Sequence, residues 1–298
     1  MTFRIAAGRE GRAPAPGALI EGGTKVVVLP GFASVLEIVE GGANALDRAY
    51  EALKHSPPQL AAGNVTLLAP IPHPPQMRDF LCFETHLKQA FDAVGKLSGT
   101  VSQVPRVWYE RPLFYHPSRF SVCGPDAEVP WPAYSERLDF ELEFGCYIGK
   151  PGKDIPKERA RSHIFGYTIF NDFSARDEQA REMAGQLGPG KGKDFDNANA
   201  MGPCLVTADE LGDPYCLEMI VRVNGEEWGR GNSRDMHWKF EDCIAHASRS
   251  ETLHPGEFFG SGTVGNGCGL ESLRFLKPGD VVELEVEGIG VLRNRVVK

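Results

Sequence analysis

Acids recur at every second position in Leu138-Asp139-Phe140-Glu141-Leu142-Glu143-Phe144, within a stretch that continues through Gly145-Cys146-Tyr147-Ile148-Gly149. Successive side chains of a β-strand alternate between faces, so Asp139, Glu141 and Glu143 are expected on one side and Phe140, Leu142 and Phe144 on the other. The row of acids is then either the solvated face of a half-buried edge strand or part of a cation site. Two carboxylates about 4 Å apart repel by roughly 4 kcal/mol at an effective dielectric near 20, and a divalent cation converts that repulsion into binding. A further acid comes from Thr168-Ile169-Phe170-Asn171-Asp172-Phe173-Ser174-Ala175-Arg176-Asp177-Glu178-Gln179. There an apolar strand runs into Asn-Asp and then a helix-like segment. Asp172 therefore stands at a strand end, where functional side chains often project. The competing role for Asp172 or Ser174 is to cap that helix.

Short strands dominate the elements that must position these acids. Lys25 to Leu29 and Val65 to Leu68 read as strands, with a helical pattern over Ala43 to Leu53 between them. Pro70, Pro72, Pro74 and Pro75 make Ala69 to Gln76 an extended connector. A small N-terminal α/β lobe, residues 1–73, is expected before it and a catalytic domain, 74–298, after it. A strand through Phe80 to Phe83 and a helix from about Thr85 to Val94 open the second part. Asn224-Gly225, between apolar-containing runs, signals a two-residue hairpin. Trp238 to Ala247 carries an imperfect helical stripe. Val281 to Val286 and Val291 to Val297 read as strands, preceded by the turn residues Pro278-Gly279-Asp280. The fold class expected is α+β, mostly β: a mixed β-sandwich or roll with few helices, plus the small N-terminal lobe.

Composition narrows the function classes. Thirty-two Lys and Arg against 40 Asp and Glu give a formal charge of -8 without a basic run, which disfavours nucleic acid or an anionic membrane as partner. The seven cysteines show no two-residue pairing of the kind used for zinc or redox chemistry, and read as reduced thiols. Met1-Thr2-Phe3-Arg4 lacks the apolar core of a signal peptide, and no stretch has the length of a membrane span, so the expected setting is the cytoplasm. Gly188-Pro-Gly-Lys-Gly-Lys193 lacks the Gly-Lys-Ser/Thr ending of a phosphate loop. Gly99 to Val104 reads from composition as a mobile segment.

Leu138-Asp-Phe-Glu141-Leu-Glu143 with Ile148-Gly149-Lys150, followed by Gly166-Tyr-Thr-Ile-Phe-Asn171-Asp172-Phe-Ser-Ala-Arg176-Asp177, resembles the signature of the fumarylacetoacetate hydrolase superfamily. The likeness continues through Gly192-Lys193-Asp194-Phe195, Gly202-Pro203, Ser261-Gly262-Thr263 and Leu284-Glu-Val-Glu-Gly288-Ile-Gly290, and covers roughly Arg78 to Val297.

By that resemblance Glu141, Glu143 and Asp172 are the expected metal ligands. Asp79, seven residues ahead of His86, is the expected fourth, its alternative being a turn or strand-start acid. An all-oxygen set suits Mg2+, with Ca2+ or Mn2+ possible. The resemblance also makes His86 the general base. The partner that orients it lies three residues later in one branch of relatives, where this chain has Gln89, and after Ser-Gly-Thr in another, where Glu271 fits. Lys193, Arg176, Gln179 and Thr263 match residues around the substrate oxygens, although ordinary surface polarity would also explain the three long polar ones.

The implied function is metal-dependent hydrolysis of a carbon-carbon bond in a small 1,3-diketo or 2-oxo carboxylic acid, of acylpyruvate or fumarylacetoacetate type, as in aromatic compound catabolism. The alternative is an isomerase, decarboxylase or dehydratase of a related 2-oxo acid on the same metal-enolate scaffold, and a third reading is a non-catalytic binding protein. A small-molecule oxo acid and a homodimer are the partners the resemblance implies.

Overall fold

The computed structural model describes residues 4–7, 14–55, 59–99, 101 and 103–298. The signal-peptide reading of Met1 to Arg4 falls largely outside these residues, as do residues 100 and 102 of the expected mobile segment.

A large mixed sheet is the frame of the molecule. Its strands run in the spatial order Gln59–Ala61, Lys25–Val28, Pro16–Ile20, Arg4–Ala7, Asn199–Thr207, Ile164–Asp172, Leu142–Ile148, Phe258–Gly260, Met77–Phe80 and Phe114–Tyr115, with Val122–Cys123 beside Asn199–Thr207. Pairing is antiparallel except between Phe258–Gly260 and Met77–Phe80 and between Val122–Cys123 and Asn199–Thr207. A second sheet is ordered Glu226–Asn232, Glu218–Val223, Val281–Val286, Gly290–Val297 and Glu128–Pro130. Phe144, Ile169, Val221, Leu284 and Leu292 belong to one buried core shared by the two sheets. The fold class is the one expected, mostly β with few helices.

The hairpin at Asn224-Gly225 forms with positive φ at both residues, 53° and 80°, the conformation that admits Asn and Gly most readily. The three helices expected from the sequence lie at Gly42–Lys54, Glu84–Ser98 and Phe240–Ala247, among several shorter ones. Val65 to Leu68 is not a strand. Gln59–Ala61 takes the edge position beside Lys25–Val28, and a 3-10 turn over Ala62–Asn64 leads the chain off the sheet before Val65 is reached. The strand expected over Phe80 to Phe83 lies earlier, at Met77–Phe80, because Phe258–Gly260 offers it parallel pairing there.

The proline-rich connector has neither helix nor strand from 69 to 76, and Ala69 and Ile71 are buried in it. The N-terminal strands add to the large sheet through Arg4–Ala7, paired with Asn199–Thr207, and Ala18, Leu29 and Ile38 share a core with Tyr147, Phe170 and Phe258. Strands from both sides of the expected 73/74 division thus lie in one continuous sheet.

Candidate active site

Three strands of the large sheet deliver the acids, the one with Asp79 separated from the other two by Phe258–Gly260. Glu143 lies on Leu142–Ile148, opposite Phe170 of Ile164–Asp172, whose last residue is Asp172. Asp79 pairs with Gly260, which in turn pairs with Gly145, two residues from Glu143. A Cβ on Gly260 would stand 2.3 Å from Asp79 Oδ1, so glycine is what makes room for that carboxylate. One oxygen each from Asp79, Glu143 and Asp172 lies within 4.8 Å of the other two, and all three residues are buried.

Strict alternation does not hold along the acidic stretch. The strand breaks between Leu138–Asp139 and Leu142–Ile148, and Asp139, Glu141 and Glu143 are all buried, as are Phe140, Leu142 and Phe144. The solvated-face reading is therefore wrong: both faces are covered, one by apolar core and the other by the polar site. The break also sends Asp139 away from the other two. It accepts from the amides of Gly269 and Leu270 at 2.8 and 2.9 Å and from Arg176 Nε at 2.8 Å. Nor do Asp172 and Ser174 cap a helix. The helix Arg176–Met183 starts after Ala175 without a side-chain cap, and Ser174 Oγ donates to the Asp172 carbonyl.

Glu141 meets cations rather than the three-acid group. Lys193 Nζ lies 2.6 Å from Glu141 Oε2, and Arg176 Nη1 2.7 Å from Oε1. The same ammonium donates to Asp172 Oδ2, which also accepts from Tyr115 Oη at 2.6 Å. Lys193 reaches inward because a short helix, Gly190–Lys193, packs on Arg176–Met183. A Cβ on Gly192 would come within 2.7 Å of Gln179 Cα there. Gln179 accepts from Arg176 Nη1 at 3.0 Å, and Thr263 Oγ1 stands 3.5 Å from Glu143 Oε1. Lys193, Arg176 and Thr263 are buried and Gln179 half-buried, so surface polarity does not describe them.

His86 lies in the first turn of Glu84–Ser98 and Glu271 on the short helix Gly269–Ser272; His86 Nδ1 and Glu271 Oε1 are 2.9 Å apart. Gln89, the other candidate partner, holds Asn266 instead, through 2.7 and 3.1 Å hydrogen bonds. Asp139 ties the two halves of the site together, holding the amides that begin Glu271's helix and the guanidinium that holds Glu141. Gly269 is required for this, since a Cβ would lie 2.5 Å from Asp139 Oδ1 and 1.9 Å from the Arg274 carbonyl. A groove of about 500 Å3 between Lys88, Phe91, Asp92, Gln103, Val104 and Tyr109 lies on the other side of His86's helix and is lined by none of these groups.

Charge is unevenly satisfied. Burial works against ionisation of Glu141, but Lys193 and Arg176 outweigh it and hold the carboxyl below its usual range. Burial, countered by Lys193, leaves Asp172 at about 6. Burial, with Asp172 beside Asp79 and Asp79 beside Glu143, pushes both of those carboxyls well above the usual range. Glu143 Oε2 and Asp172 Oδ1 are buried without a hydrogen-bond partner. Unpaired carboxylate oxygens facing one another fit a divalent cation, which satisfies both and removes the repulsion. Asp172 ordinarily titrates near 3.8. Between that value and about 6 the folded chain keeps a proton that the unfolded chain has released, so this stabilisation is full below about pH 4 and lost as pH rises through about 6. Metal-free protein is expected to melt at a lower temperature at about pH 7 than at about pH 5, and Mg2+ to raise the midpoint more at the higher pH, which calorimetry reads directly.

The mixed β fold buries an oxygen-rich acid cluster, a group that could hold a metal ion, beside an ammonium, a guanidinium and a His–Glu pair. The family model described as "Fumarylacetoacetate (FAA) hydrolase C-terminal" matches residues 76–297, and the chain belongs to the fumarylacetoacetate hydrolase superfamily. It is 36% identical over 262 residues to a protein named oxaloacetate tautomerase fahd2, mitochondrial, from Xenopus laevis, covering 88% of this chain and 77% of that one. To the oxaloacetate tautomerase FAHD2A, mitochondrial, of Homo sapiens it is 35% identical over 269 residues, covering 89% and 80%. Among solved structures, a fumarylacetoacetate hydrolase from psychrophilic Exiguobacterium antarcticum superposes with TM-score 0.80 at 27% identity, covering 99% of each chain. A probable 2-hydroxyhepta-2,4-diene-1,7-dioate isomerase from Mycobacterium abscessus does so with TM-score 0.77 at 27% identity, covering 99% and 98%. Members of this superfamily generally depend on a divalent metal, and the buried acids here match that requirement. Among the described residues no helix is long and apolar enough to cross a membrane.

Two contributors had no signal in the sequence. Tyr115 stands outside every motif and reaches Asp172 only because Phe114–Tyr115 pairs beside Asp79. Cys268 looked like any other thiol, yet its Sγ lies 4.0 Å from His86 Nδ1.

Proposed function

We propose that the chain is a divalent-metal-dependent keto-enol tautomerase of a small 2-oxo dicarboxylic acid of the oxaloacetate type. The observation that carries this reading is the pair of partnerless oxygens on Glu143 and Asp172, set against Asp79, with Lys193 joining Asp172 to Glu141 and Arg176 holding Glu141 beside them. The oxaloacetate tautomerases aligned over 88% and 89% of the chain support the choice of reaction. It replaces carbon-carbon hydrolysis as the first reading.

Asp79, Glu143 and Asp172 would hold the cation, with Glu141, which shares Lys193 with Asp172, as the fourth candidate. Their hard oxygens suit Mg2+, or Ca2+ or Mn2+. When bound, the ion polarises the 2-oxo group and offsets charge on the enolate oxygen. Glu271 accepts from the Nδ1 side of His86, which fixes the tautomer and leaves Nε2 as the base that takes or returns the proton on the carbon next to the oxo group. Lys193 spends two of its three donors on Glu141 and Asp172 and keeps one for the enolate oxygen. Arg176 Nη2 is buried without a partner and fits a substrate carboxylate.

The test is the decay of enol oxaloacetate with purified protein, with and without Mg2+, beside a panel of acylpyruvates. Acceleration that is abolished by chelation, with acylpyruvates untouched, is the expected result. His86→Ala is expected to lower the rate by roughly 10²- to 10⁴-fold and Glu271→Gln by at least about tenfold. The second reading, hydrolysis of an acylpyruvate, is favoured by the His86–Glu271 pair, which is equally suited to activating water. Acylpyruvate cleavage with enol decay left at its uncatalysed rate would put hydrolysis in first place. A homodimer and a cytoplasmic setting belong to the same proposal, the relatives cited being named mitochondrial, and light scattering of the purified chain tests the dimer.

A further inference from the structure

We propose that this chain has a second metal site, for a thiophilic cation of the Zn2+ class, formed by His86, Cys268 and Glu271 and separate from the all-oxygen cluster. One ligand atom from each lies within 4.8 Å of the other two. His86 Nδ1 stands 2.9 Å from Glu271 Oε1 and 4.0 Å from Cys268 Sγ. With Zn–S near 2.3 Å and Zn–N or Zn–O near 2.0–2.1 Å, tetrahedral geometry separates such atoms by about 3.3 to 3.6 Å, between the two observed separations. All three side chains are held. Cys268 begins the helix Gly269–Ser272, its amide donates to Glu271 Oε2 at 3.2 Å, and Asp139 fixes the next two amides. His86 is fixed by its own helix, which packs on that one around Ala93, Cys268 and Leu270.

The plain alternative is that Cys268 only fills a small apolar gap among Ala93, Leu270, Ala90 and Phe275. A packing thiol has no need of imidazole and carboxylate at its sulfur, whereas thiolate, imidazole and carboxylate together are a zinc-type donor set that Mg2+ does not select. Cation entry releases the thiol proton to solvent and leaves His86 with its N–H on Nε2, its Nδ1 lone pair being on the metal. Under the proposed function, on which this consequence alone rests, the base is lost and zinc inhibits the Mg2+-dependent reaction.

Co2+ is the probe. Added at one equivalent to Mg2+-saturated protein, it is expected to give a near-ultraviolet sulfur-to-cobalt charge-transfer band that Zn2+ bleaches. The band is retained in Glu143→Gln, which alters only the oxygen cluster, and is lost in Cys268→Ser and in Cys268→Ala, each checked for a native melting transition. One equivalent of Zn2+ lowers turnover roughly 100-fold, the scale of a lost general base, and a chelator followed by Mg2+ restores it. Absence of the band in the unmodified protein, or its survival in the folded Cys268 variants, where the exposed Cys216 would be its source, overturns the proposal. The band needs no substrate. A protein that shows it but turns over no oxo acid therefore refutes the functional reading and leaves the zinc site standing.

Discussion

Glu143→Gln leaves the metal-free protein at least as stable as the parent and abolishes the stabilisation that Mg2+ confers. Glu143 is buried, its Oε2 has no partner, and its carboxyl meets the Asp79 carboxyl and, at 3.5 Å, Thr263 Oγ1. No cation loses a partner when the charge is removed, so the change relieves a buried repulsion. The bound ion loses a ligand. With Mg2+ at a hundredfold excess over its dissociation constant, linkage stabilises the parent by about 2.7 kcal/mol, or roughly 5 °C in midpoint for a chain of this size. The variant is expected to show none of that shift, and its turnover to fall by about 10³-fold, since positioning and polarisation by the ion are lost together. An unchanged Mg2+ shift in calorimetry would remove Glu143 from the ligand set.

Arg176→Met acts in the opposite sense, destabilising the chain with or without metal. The guanidinium is almost wholly buried and lies between Asp139 and Glu141, at 2.8 and 2.7 Å. Replacing it with a side chain of similar length leaves both carboxylates buried without that counter-charge, a loss of about 3–5 kcal/mol for a broken buried pair. The expected fall in melting midpoint is about 6–9 °C. Asp139→Asn in the same background should recover part of it, because the uncompensated charge on Asp139 goes with the substitution. If the single variant melted within about 1 °C of the parent, the network joining Glu271's helix to Glu141 would carry no structural weight. The contrast in sign between the two variants separates a group that serves a cation alone from one that also holds the fold.

The residue types of the site were legible in the sequence because they sit in contiguous patterns. Glu141, Glu143 and Asp172 occur in runs whose spacing a strand and a strand end impose, whereas Arg176 and Lys193, which lie on helices, were found only through the family resemblance. The Asn224-Gly225 hairpin is equally local, since positive φ at both positions is a property of those two residues. Alternation along 138–144 misled on one point. Period-two faces say which side a residue leaves the strand on, not whether that side meets water, and the break between Asp139 and Leu142 changes even the side.

The sequence by itself determined the donor chemistry, hard oxygens with two cations and an imidazole, and the strand-rich character of the chain. Only the tertiary structure decided which groups meet. Asp79 joins Glu143 through Gly260, Glu141 goes to Lys193 and Arg176, and His86 takes Glu271, 185 residues away, in preference to the nearby Gln89. Those choices depend on sheet register, on how closely glycines let backbones approach, and on which buried charge can find a counter-charge, all non-local balances of desolvation against pairing.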